Sequence, residues 1–139
     1  MKSIILNRDL EDKIELADIV APILAEDEVL VKIKAAALNH RDEWCRQGLY
    51  PGLKNGVVLG SDGAGVIEKV GKSVEASWIG KEVLINPSNN WGEDARAQAK
   101  DFSILGMPEN GTLAEFVKVK VDRVHAKPKH LNWNEAAAL

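Results

Sequence analysis

The chain has 139 residues, 45% hydrophobic and 28% charged, enough for one domain with a true core and too little for two large ones. A net charge of −3 with 18 scattered basic residues argues against a nucleic-acid surface, which needs clustered Lys and Arg. No apolar run approaches the ~20 residues of a membrane span, the N-terminal run is too short for a signal peptide, and the single cysteine, Cys45, excludes an internal disulfide and fits a reducing, cytoplasmic setting.

Along the chain, the alternation of residues 14–19 and the β-branched run 29–35 predict the first strands. Asn39 stands three residues before Asp42, a variant of the capping box, and Gly48 suits the left-handed position past a helix end, so a helix is predicted from Asn39 to Gln47. Strands are predicted at 64–70, 82–85, 113–119 and 123–126, with turn signals between them. From 86 to 105 runs a polar, turn-rich excursion of a length that is usually functional or poorly ordered. Asn132 with Glu135 repeats the capping logic before Ala136-Ala137-Ala138-Leu139. Many short strands with few helices predict a mainly β, antiparallel, partly open barrel.

Inside the first helix, Asp42 and Arg46 are four apart and are expected to pair. Asp42 and Cys45, three apart, are placed to share a metal ion in principle, whereas His40 lies off that pair. Cys45 as a nucleophile needs a nearby base, and His40 sits on a different helical face. Gly63-Ala64-Gly65-Val66-Ile67-Glu68 is the nearest approach to a dinucleotide fingerprint. It ends in Glu and continues as strand, so its glycines read as points of close backbone approach. His125 and His130 have no paired ligand nearby.

Two stretches carry more. Ala37-Leu38-Asn39-His40-Arg41-Asp42-Glu43-Trp44-Cys45-Arg46-Gln47-Gly48-Leu49-Tyr50-Pro51 is followed by Gly60-Ser61-Asp62-Gly63-Ala64-Gly65-Val66. Together they resemble the N-terminal catalytic domain of medium-chain dehydrogenases/reductases, and within it the zinc-independent branch. In zinc-dependent members a cysteine stands at the position of Asn39 and a histidine at that of Ser61. The segments 80–83, 111–116 and 134–139 extend the resemblance in the same order.

The resemblance implies a GroES-like barrel over residues 1–139, followed in the complete enzyme by a Rossmann domain that binds NADP(H) or NAD(H) in the cleft between the two. It implies that the chain stops at that junction, that the cofactor is held mainly by the missing domain, and that no zinc is bound. It also implies that the Ala-rich closing helix faces the absent domain, leaving a surface that self-associates or a terminus that frays.

Asn39 matches a cleft position where its amide can donate to a substrate carbonyl; it is equally a good helix N-cap. Tyr50 resembles a tyrosine on the nicotinamide side of the cleft, able to position cofactor or substrate or to donate a proton; the plainer reading is an aromatic packed beside Pro51. Trp44, where relatives often carry tyrosine, is expected to shape the pocket wall near the cofactor. Ser61 can hydrogen-bond a substrate oxygen or the nicotinamide, or simply form a turn. The implied reaction is hydride transfer to a small electrophile, a quinone, enone or related carbonyl compound. A zinc-dependent alcohol dehydrogenase with drifted ligands and a non-catalytic binding barrel are the rival readings.

Overall fold

The computed structural model describes residues 1–139. Ten strands and two helices follow one another: β1 (Lys2–Leu6), β2 (Ile14–Asp18), β3 (Glu28–Ala37), α1 (His40–Gln47), β4 (Asp62–Val70), β5 (Glu82–Ile85), β6 (Ser88–Asn89), β7 (Ser103–Leu105), β8 (Pro108–Glu109), β9 (Phe116–Lys120), β10 (Val124–Ala126) and α2 (Trp133–Ala137). They form three sheets, β1-β2, β10-β5-β4-β3-β9 and β6-β7-β8. Single bridges, Ser3 to Ala114 and Ile5 to Val58, tie the first hairpin to the rest. The result is a mainly β, open architecture.

The five-stranded sheet follows from its alternation. In β9, Val117 and Val119 are buried while Lys118 and Lys120 are exposed, as a strand with one wet face requires. Val29, Val31, Ile67, Val83, Ile85 and Val124 join them in the main core. The glycines of β4 act as backbone contacts: a Cβ on Gly65 would lie 2.2 Å from the Lys32 carbonyl oxygen, so only hydrogen fits there.

A second, smaller core gathers Leu6, Cys45, Val57, Leu59 and Met107, with Tyr50 and Leu53 at its edge. It seats α1 against the loops that follow it. The helix has the predicted ends. Gly48 adopts φ 81°, and its N–H donates to the Cys45 carbonyl at 3.1 Å.

The N-terminal run, to which the sequence reading assigns no element, is a strand paired along its length with β2. The strand expected from 113 begins at Phe116. The excursion is not a bare loop: it folds into β6 and β7, closed by an edge-on Trp91–Phe102 contact with centroids 5.4 Å apart and by the Ala99 N–H donating to the Trp91 carbonyl at 2.7 Å. At the end of the chain, Ala136 and Ala137 are each 2% exposed and pack with Ala64 of this chain's own sheet. The buried face of the helix is therefore Ala136 and Ala137, while Leu139 beyond it is 72% exposed.

Candidate functional site

The site residues cluster where α1 meets the start of β4. Asn39 caps α1 in extended conformation and forms with Asp42 a capping-box arrangement. Its firm half is the reverse one: Asp42 Oδ2 accepts from the Asn39 backbone N–H at 2.9 Å. Asp42 is buried, and its other oxygen accepts from the Gly60 N–H at 2.9 Å. Gly60 has φ 91°, a conformation that favours glycine. One carboxylate thus fixes both the start of the helix and the entry to β4.

That geometry places Asn39 beside Asp62. The Asn39 Nδ2 donates to Asp62 Oδ2 at 2.6 Å. A carboxylate only accepts, which identifies the nitrogen side of the amide. The amide has a second N–H, and Asn39 is exposed, so one donor remains for a ligand oxygen. Leu38, next to Asn39 in the chain, is 79% exposed, and Trp44 on α1 is 50% exposed. The His40 and Trp44 rings lie 6.3 Å apart on one helix face, the relation of residues one turn apart. Trp44 stands half open to solvent on the outer face of α1.

Ser61 is placed differently. It is 4% exposed, and its hydroxyl donates to the Leu105 carbonyl at 2.9 Å while accepting from Arg41 Nη1 at 3.0 Å. Its hydrogen-bonding capacity is spent inside the protein.

Arg41, absent from the sequence-derived candidates, is the centre of this network. Its guanidinium reaches the carbonyls of Leu105 at 2.6 Å, Ile104 at 3.5 Å and Met107, and lies 4.7 Å over the Tyr50 ring. Tyr50 is half-buried, its ring held between this cation and the second core. The only sequence hint was Arg41's place beside Asp42 in the helix; its carbonyl acceptors lie 63 to 66 residues on.

The expected Asp42–Arg46 pair does not form. Asp42 faces inward to Gly60, and Arg46 instead pairs with Glu43 at 2.6 Å. The Arg46 hydrogen bond, assisted by Gln47, lowers the Glu43 pKa to about 2. Burial pushes the Cys45 thiol up, which makes it a core side chain and not a ready nucleophile. No three His, Cys, Asp or Glu side chains gather as a metal site: Asp42 is committed to backbone amides, and the positions matched to metal ligands hold an amide and a bonded hydroxyl.

A cavity of about 430 Å³ lies elsewhere, between β9 and the segment around Val20, and is lined by none of Asn39, Trp44, Tyr50 or Ser61. The Asn39–Asp62 pair sits on an open surface.

Residues 25–129 match the family model described as alcohol dehydrogenase GroES-like domain. The chain belongs to this family, the N-terminal domain of medium-chain dehydrogenases/reductases. It is 34% identical over 135 residues to the zinc-type alcohol dehydrogenase-like protein YogA of Leptosphaeria maculans, covering 91% of this chain and 38% of that protein. It is 38% identical over 125 residues to the NADPH-dependent alkenal/one oxidoreductase, chloroplastic, of Arabidopsis thaliana, covering 88% and 29%. An NAD-dependent alcohol dehydrogenase of known structure superposes with a TM-score of 0.90 at 39% identity, over 100% of this chain and 43% of that one. The chain thus spans well under half the length of these proteins. None of its helices is long and apolar enough to cross a membrane.

Proposed function

We propose that this chain supplies the substrate half of the cleft in a cytoplasmic, nicotinamide-dependent oxidoreductase that reduces enones, quinones or related carbonyl compounds without catalytic zinc. The observation that carries the reading is the Asn39–Asp62 hydrogen bond at 2.6 Å, at the position matched to a metal ligand. The similarity to a protein named as an NADPH-dependent alkenal/one oxidoreductase supports the same substrate class.

When bound, the nicotinamide supplies the hydride; NADP(H) or NAD(H) is held mainly by the domain that follows in the complete enzyme. The residues here do the rest. Asp62 orients the Asn39 amide, whose free N–H is aimed at a substrate oxygen as charge develops on it. The Asp62 carboxylate so close by disfavours a localised oxyanion, which favours acceptors whose charge spreads over a conjugated system. Leu38 and Trp44 present an apolar wall suited to a small hydrophobic electrophile. Tyr50, its ring 4.7 Å from the Arg41 guanidinium, orients substrate or cofactor in this reading. Neither nucleic acid nor membrane is a partner in this reading.

The test uses the full-length protein. Absorbance at the nicotinamide band is followed with NADPH or NADH and, separately, a simple enone, a benzoquinone and a saturated ketone, before and after prolonged dialysis against a chelator. Enone or quinone reduction that persists after chelation is expected. Alcohol–ketone interconversion that is abolished by chelation and restored by zinc would instead establish the zinc-dependent reading.

A further inference from the structure

Arg41 links parts of the chain that the sequence holds far apart. From α1 its Nη1 reaches Ser61 Oγ at 3.0 Å and the Leu105 carbonyl at 2.6 Å. Its Nη2 reaches the carbonyls of Ile104 at 3.5 Å and Met107, at the base of the lobe formed by β6, β7 and β8. Every one of these acceptors is a neutral oxygen. The Arg41 Nε is buried and has no partner. A buried donor left unpaired is costly, so it is the bonds of the two Nη atoms that hold the guanidinium in place, and its carbon lies 4.7 Å from the centre of the Tyr50 ring.

We propose that Arg41 is a positioning residue of the site, acting through Tyr50: one guanidinium sets the orientation of the Tyr50 ring and ties it to the base of the 86–109 lobe. A planar fork is needed for this. Lysine keeps the charge but is a point donor on a flexible stem, unable to reach Ser61, Leu105 and Met107 together while holding its charge over the ring. Displacement of the lobe base therefore draws the guanidinium off Tyr50, and Tyr50 reports the state of the lobe. The kinetic part of this inference rests on the function proposed above; the positional part does not.

The sequence offers a direct readout, because Tyr50 is the only tyrosine among the 139 residues. Biosynthetic 3-fluorotyrosine in this chain gives one fluorine resonance. In Arg41→Lys that resonance is expected to shift and broaden. Amide exchange at Leu105 and Gly106, whose N–H groups donate to Pro87 and Glu109 carbonyls at 3.1 and 2.9 Å, should rise about tenfold or more as local opening becomes easier. Val29 and Val31 in the main core should stay protected. In the full-length enzyme the same substitution should lower kcat by about ten- to a hundredfold, the cost of misplacing a group near the chemistry, and adding Tyr50→Phe should cost less than it does alone. Faster exchange at the lobe with an unmoved fluorine resonance reduces Arg41 to a lobe anchor and overturns the proposal, as does no change in either. If Arg41→Lys does not fold, Ser61→Ala, which removes one acceptor from Nη1, is read in the same way. A full-length protein without oxidoreductase activity would remove the proposed function, while the fluorine resonance would still decide the positioning role.

Discussion

Asn39 and Asp62, 23 residues apart, are joined by a 2.6 Å hydrogen bond from the amide nitrogen to the carboxylate, while the backbone of the same Asn39 is held separately by Asp42. The backbone and the side-chain amide of Asn39 thus make separate contacts. In the full-length enzyme Asn39→Ala should lower turnover on the order of ten- to a thousandfold, the usual cost of one donor to developing charge. The stability loss should be less than the ~1 kcal/mol of a typical N-cap deletion, since the bond to Asp42 survives. Unchanged turnover with an earlier melt would leave Asn39 as a cap only.

Asn39→Asp makes a sharper test of the contact. It sets two carboxylates against each other, and such a pair cannot readily ionise together. The folded state then holds a proton that the unfolded chain releases near pH 4, so the variant should lose stability as pH rises. Urea midpoints should fall further below wild type at pH 7.5 than at pH 4.5. An equal deficit at both values would mean that the two side chains do not meet in solution.

Glu43 gives the opposite slope. Its carboxyl is held at about 2, below its ordinary 4.5, chiefly by the Arg46 hydrogen bond and then by Gln47. A carboxyl depressed on folding contributes stability above its unfolded value, and that contribution fades as pH falls from about 4.5 toward 2. Glu43→Gln should flatten the stability profile in that window alone. The pair is open to solvent, so the effect should be small and should shrink with added salt. A variant profile that stays parallel to wild type down to pH 2 would show that the pair is not formed.

What could be read in the sequence was what short-range spacing encodes. The ends of α1 follow from Asn39, Asp42 and Gly48 within ten residues, and β9 follows from the Val117–Lys120 alternation. The glycines of β4 were legible as backbone contacts because a fingerprint needs a helix after it. The rest depends on residues brought together from afar. Arg41 finds its carbonyl acceptors more than 60 residues on, in a lobe whose sheet has no alternation to announce it. Ser61 looked free because nothing local shows that Leu105 and Arg41 surround it. Asp42 is drawn inward to Gly60, which leaves Arg46 to Glu43. β1 is a strand by virtue of its partner β2, and its own sequence is too short to say so.

The metal question has a plain measurement. Asn39 and Ser61 stand at the matched ligand positions, and no three-residue donor group exists in the chain, whereas catalytic zinc needs three protein ligands and an open position. Elemental analysis of the protein purified without added metal should give well below one equivalent of zinc for this domain. A full equivalent that survives chelation, and that Asn39→Ala or Asp62→Ala releases, would place a metal at the pair and reverse the reading.

The closing helix makes the last prediction. α2 spans five residues, far fewer than the ~12 that an isolated helix needs, so its order must come from packing. Ala136 and Ala137 press on Ala64, bounded by Leu84, Leu131 and Trp133. Lys127 closes the arrangement: its Nζ donates to the Leu131 carbonyl at 2.8 Å, pairs with Glu82 at 3.2 Å and lies 5.1 Å over the Trp133 ring. Small side chains permit this close approach, so Ala137→Leu should overpack the contact and cost about 1–3 kcal/mol. The Ala136 amide, which donates to the Asn132 carbonyl at 3.0 Å, should be protected in wild type and lose protection in Ala137→Leu and, less fully, in Lys127→Met. Hydrogen exchange read residue by residue, with urea midpoints, checks it. If Ala136 exchanges freely in wild type, or if Ala137→Leu alters neither its exchange nor the midpoint, α2 is not docked on β4 and the covered face described here is wrong.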